Sequence, residues 1–135
     1  MSKLGCICGH IIADNTDSIP YKGNLLKDED SERFWDAAAA GLAALVGAVK
    51  SGRREGWIDQ HFLSGYPRNL NDEAVISDFL SGLWMKYSVT VYECESCGRI
   101  KVQEGTTSNQ FRSYAPEDSV AHNVLRSEYK DVGDG

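Results

Sequence analysis

Two short runs in this chain combine residue types and spacings that do chemistry: Cys6-Ile7-Cys8-Gly9 and Cys94-Glu95-Ser96-Cys97-Gly98. A reduced cysteine supplies a soft thiolate, and four thiolates about 2.3 Å from one ion make a tetrahedral zinc site with no open position. A turn carrying two cysteines presents both sulfurs to one ion. Glycine after the second cysteine permits the left-handed backbone that such a turn needs. Cys6, Cys8, Cys94 and Cys97 are therefore expected to hold one structural Zn2+. The later pair has the usual ligand spacing. The earlier pair is one residue shorter, which leaves His10 as a substitute donor. Iron also suits a tetrahedral sulfur site. A redox Cys-x-x-Cys belongs at a helix start after a strand, whereas here it lies between two strand-like runs. A structural ion contributes on the order of 10 kcal/mol to folding.

Other reactive residues lack a comparable pattern. His61 sits beside Phe62 and Leu63, and His122 stands alone in the C-terminal segment. Both read as packed or surface histidines. There is no His-Glu-x-x-His, Gly-x-Ser-x-Gly or phosphate-loop pattern, so catalysis is not expected. Asp28, Glu29, Asp30, Glu32 and Asp36 form an acidic cluster. It reads first as a solvated, capping face and second as a partner-binding surface.

The elements that must position the cysteines follow from hydropathy. Residues 1–12 suggest a short strand or knuckle, 14–18 a loop, and 21–26 a second short strand. Asp30 or Ser31 is expected to cap a helix carrying Phe34, Trp35, Ala38, Leu42, Leu45, Val46 and Val49, which stops near Gly52. Trp35 and Trp84 fall on helix stripes and are expected in the core. The opposite face, Ala37, Ala40, Ala44, Gly47 and Ala48, is small enough either to be solvated or to admit another helix, which leaves a homodimer open. Trp57 to Leu63 reads as a short helix or a packed loop. Asn71 caps a second clear helix running through Tyr87. Ser88 to Cys94 and Arg99 to Gln103 alternate as two strands of a hairpin with the later cysteines at its tip. Residues 111–130 are expected to wrap loosely.

The predicted fold class is α+β: a small antiparallel zinc-clipped β-sheet, zinc-ribbon-like, made from the N-terminal strand and the 88–103 hairpin. It is expected to pack against two main helices. At 135 residues, a single domain 1–135 with a frayed tail at 131–135 is expected. Hydrophobic residues at 41% and charged residues at 25% exclude wholesale disorder. Acids outnumber bases 20 to 14, for a net charge of -6, which argues against a nucleic-acid partner. Four thiolates and one zinc would make the charge about -8. The longest apolar stretch, Ala37 to Val49, is too short to span a membrane, and no signal-peptide core opens the chain. The expected compartment is the cytoplasm, where thiols stay reduced.

The opening Cys6-x-Cys8-Gly9-His10-Ile11-Ile12, with Asp14-Asn15-Thr16-Asp17 and Pro20-Tyr21-Lys22, resembles that of small zinc-ribbon-like bacterial proteins. Tyr92-Glu93-Cys94-Glu95-Ser96-Cys97-Gly98-Arg99 and Tyr114-Ala115-Pro116-Glu117 extend the likeness. Proteins of this kind are associated with immunity to polymorphic toxins. The resemblance implies metal binding at the four cysteines and a protein partner, a cognate toxin domain. The leading expectation is thus a cytoplasmic immunity protein or antitoxin that neutralises a toxin, with the acidic cluster as part of its interface. The alternatives are a zinc-ribbon module binding nucleic acid or transcription machinery, and a hydrolase that reverses a toxin's modification.

Overall fold

The computed structural model describes residues 2–129, so the tail expected to fray at 131–135 lies outside the described residues. The chain runs β1 (Ser2–Gly5), β2 (Ile11–Asp14), β3 (Lys22–Leu26), α1 (Asp28–Lys50), α2 (Arg54–His61), α3 (Asp72–Tyr87), β4 (Ser88–Glu93), β5 (Ile100–Gln103) and β6 (Phe111–Tyr114). It is an α+β fold with two antiparallel sheets. Its backbone forms two compact units, one from residues up to Leu25 and from Val89 on, the other from Leu26 to Ser88.

The first unit holds the cysteines. β1 and β2 form an antiparallel hairpin with Leu4 opposite Ile12 and Gly5 opposite Ile11. The N-terminal strand therefore pairs with residues 11–14, not with the 88–103 hairpin as expected. The tight turn through Cys6–His10 folds the β-forming Ile11 and Ile12 straight back onto it. The second sheet has the order β3-β4-β5-β6. The expected hairpin is present, with Val91 opposite Val102 and Glu93 opposite Ile100. β6 corrects the expectation of a loose wrap: Phe111 pairs with Gln103 and Tyr114 with Ile100. Only Phe111 of its four residues is even half-buried, too little alternation to be read as a strand.

The second unit is built on three helices. Leu45, Trp57, Ile58, Val75 and Phe79 are its buried centre, with Leu42, Phe62, Tyr66 and Leu83 packed around them. The Trp57 indole N–H donates to the Gly41 carbonyl at 3.0 Å, tying α2 to α1. The Asn71 cap is as expected: its side-chain oxygen accepts the Ala74 N–H at 2.8 Å. The cap expected from Asp30 or Ser31 is not made. α1 starts earlier, after Lys27, with no side-chain cap bond and with Asp28, Glu29 and Asp30 inside its first turn. Their charges face the positive end of the helix dipole, which favours the same helix start by another route. Trp35 is 63% exposed, against expectation, whereas Trp57 is buried at 3%. Among the described residues no helix is long and apolar enough to cross a membrane.

Candidate metal centre

Each cysteine pair sits in a small backbone knuckle, and the two knuckles are built alike. In the first, the Cys6 N–H donates to the His10 carbonyl and the Gly9 N–H to the Cys6 carbonyl, both at 2.9 Å. In the second, the Cys94 N–H donates to the Arg99 carbonyl and the Gly98 N–H to the Cys94 carbonyl, both at 2.8 Å. The closing glycines have φ of +100° and +79°, a conformation that side chains resist. Turns closed this tightly leave both thiols of each pair pointing the same way.

The topology brings the knuckles together. Cys6 Sγ lies 3.6 Å from Cys97 Sγ, and Cys8 Sγ lies 3.6 Å from Cys94 Sγ. All four sulfurs fall within 4.8 Å of one another. Sulfurs at about 2.3 Å from a tetrahedral ion are separated by about 3.8 Å. A disulfide needs about 2.05 Å, and all four cysteines are free. Spacing and donor chemistry both fit one soft divalent ion, so Cys6, Cys8, Cys94 and Cys97 form a cluster that can hold a metal. His10 is not among the donors that converge.

Electrostatics prepares the sulfurs unequally. Burial pushes the Cys94 thiol up to about 12. At Cys97 burial acts the same way, but the Arg99 backbone N–H, the Arg99 guanidinium and the neighbouring thiols bring it down to about 6. Cys6 is held below the usual thiol range, against its burial, chiefly by the Cys8 N–H. A bound cation would deprotonate the remaining thiols outright. Arg99, whose guanidinium lies 3.3 Å from Cys97 Sγ, carries the one positive side chain touching the cluster among the described residues. Its role had no signal beyond its position just after the second glycine.

A polar cluster unseen in the sequence braces the same unit. Asp14 Oδ2 accepts from Lys22 Nζ at 2.6 Å and from the Tyr92 hydroxyl at 2.5 Å. The Tyr21 hydroxyl donates to the Ala13 carbonyl at 2.5 Å. These residues are joined by topology alone, and Asp14, Lys22 and Tyr92 line an open cleft of about 540 Å³ with Thr90 and Gln103. Burial pushes the Asp14 carboxyl up, but the bonds from Lys22 and Tyr92 outweigh it and hold the group below its ordinary value. A carboxylate so held adds stability that is complete above about pH 4 and is lost as pH falls through the lowered value. Asp14→Asn is expected to cost about 2 kcal/mol in urea denaturation at neutral pH. The gap to wild type should close on acidification below about pH 4; a constant gap would detach Asp14 from this pairing.

The remaining candidates lie apart from the sulfurs in kind. His61 Nδ1 bonds the Trp57 carbonyl at 2.8 Å, and its ring stacks on Trp57. His122 pairs with Asp118 at the surface. Asp28, Glu29, Asp30, Glu32 and Asp36 occupy the N-terminal turns of α1. All are exposed except half-buried Asp30, which pairs with Arg33 at 3.1 Å.

No curated protein and no solved structure matches the chain. Residues 2–118 match the family described as Domain of unknown function (DUF8617), a span that contains both knuckles, all three helices and β6. The chain belongs to the DUF8617 family.

Proposed function

We propose that the protein is a cytoplasmic immunity protein: a binding protein, fastened by one structural zinc ion, that occupies and neutralises a basic toxin domain. The observation that supports the metal half of this reading is the set of four converging sulfurs. Four thiolates complete the coordination of a tetrahedral ion, which leaves no position for substrate and suits zinc to holding the fold. The partner half rests on charge. A net charge of -6 and an exposed acidic helix start favour a basic partner. A toxin that attacks nucleic acid needs such a surface, and an acidic protein is steered to it.

The test is native mass spectrometry of the protein purified gently from its host. The expected mass carries one zinc and one defined protein partner that is toxic alone and harmless when co-expressed. A zinc-loaded protein without such a partner would overturn the immunity role, and a folded, metal-free mass would overturn the zinc. With that partner in hand, reversing Asp28, Glu29 and Asp30 together to lysine is expected to slow association about tenfold or more at low salt. Unchanged stopped-flow kinetics would remove these residues from the interface.

A further inference from the structure

α1 carries a second apolar stripe, most of which its own unit leaves exposed; only Leu42 of it also packs against the core. The buried positions of α1 are Phe34, Ala38, Gly41 and Leu45. Beside them, Trp35, Ala39, Leu42, Val46 and Val49 recur at alternating steps of four and three residues, the spacing of a helix–helix seam. At 100° per residue the second stripe is turned roughly 90° from the core stripe. Trp35 is 63% exposed, Val46 54% and Val49 42%. Ala39 is exposed and Leu42 half-buried. Along the edge of the seam Ala39, Ala43 and Gly47 recur every fourth residue, all exposed. Such small residues let a second helix come closer than the usual 8–10 Å between axes.

Charge identifies the occupant. The flank beside this stripe is acidic at its N-terminal end, with Glu32 and Asp36, and basic at its C-terminal end, with Lys50. None of these three has an ion-pair partner among the described residues. A second copy of α1 laid antiparallel about Leu42 puts Trp35 over Val49 of the other copy. It also sets Lys50 of the other copy beside Glu32 and Asp36. Twofold symmetry makes the same contact twice, as a closed dimer requires. A parallel alignment would set the two acidic ends at one level and leave Lys50 without an acidic neighbour across the seam. Antiparallel packing also sets each helix dipole against the opposite end of its neighbour.

We propose that the exposed Trp35–Val49 stripe of α1 is a self-association surface, pairing antiparallel with the same stripe of a second copy around Leu42. The dimer uses Glu32 and Asp36, whereas the toxin-binding test falls on Asp28, Glu29 and Asp30 beyond the seam, so the two readings fail separately.

Sedimentation velocity of the full zinc-loaded chain across a concentration series tests it. The wild type is expected to shift from monomer to dimer mass. Val46→Glu should weaken dimerisation about a hundredfold while leaving the circular dichroism and the melting temperature of the dilute monomer unchanged, because Val46 is already exposed in the single chain. Lys50→Glu should weaken it about tenfold, and adding Glu32→Lys and Asp36→Lys to Lys50→Glu should restore it. A wild type that stays monomeric at every concentration overturns the proposal. So does a dimer indifferent to Val46→Glu, and a triple charge swap that fails to recover association overturns the antiparallel register.

Discussion

Cys8→Ser and Cys94→Ser should each release the ion and unfold the cysteine-bearing unit, with amide-exchange protection lost across β1, β2, β4 and β5. The size of the effect follows from what that unit has for a core. Its buried cluster is Cys6, Ile12, Tyr92 and Cys94, with Leu4, Tyr21, Cys97 and Phe111 beside it. Two of the four buried members belong to the cysteine cluster, so an ion held there would stand where a larger unit would have leucines. A structural zinc contributes on the order of 10 kcal/mol at neutral pH. A whole domain has a net stability of only about 5–15 kcal/mol. Serine keeps the shape of cysteine but offers a hard hydroxyl that stays protonated, so the four-thiolate site cannot form.

The two positions separate metal from packing. Cys94 is fully buried, and its replacement also disturbs the core. Cys8 is exposed and contributes nothing to that core, so its replacement reports the ion alone. Elemental analysis is expected to find zinc near one per chain in wild type and near none in either variant. Hydrogen-exchange mass spectrometry should show chelated wild type behaving like Cys8→Ser. If Cys8→Ser melts with wild type, the ion is not structural.

The cysteines were legible because their chemistry is rare and local: two donors and a glycine within four or five residues dictate a knuckle wherever the chain puts it. Asn71 was legible for the same reason, since a cap is decided within one turn. Pairing was not. The residue pattern of Ser2–Gly5 does not name its partner; the tight turn through Cys6–His10 does, by returning Ile11–Asp14 beside it. Asp14, Lys22 and Tyr92 are common residues at distant positions, and only the folded backbone makes them a cluster. Trp35 followed the helical period and still lies outside. Two apolar stripes share α1, and periodicity does not say which one the chain itself covers.

Gly41→Val is expected to destabilise the helical unit by about 3 kcal/mol or more, while Gly47→Ala, six residues along the same helix, should stabilise it by about 0.5–1 kcal/mol. Both glycines stand in one run of small residues and look interchangeable in the sequence. At Gly41 a Cβ would lie 2.1 Å from Phe79 Cζ and 2.7 Å from Cε2, so the ring must move. It has little room to do so, because Trp57 and His61 each hold it with ring centres 5.3 Å away. Moving Phe79 would also press on Trp57, whose indole is bonded to the Gly41 carbonyl itself. A β-branched residue would add its own helix penalty. At Gly47 an added Cβ meets nothing within 4 Å, so alanine brings only its better helix propensity. Urea denaturation of the full, zinc-loaded chain, followed by the helical circular dichroism signal, reads both signs at once. If both variants shifted stability in the same direction, the close approach of α3 to α1 at Gly41 would not be what fixes the packing of these helices.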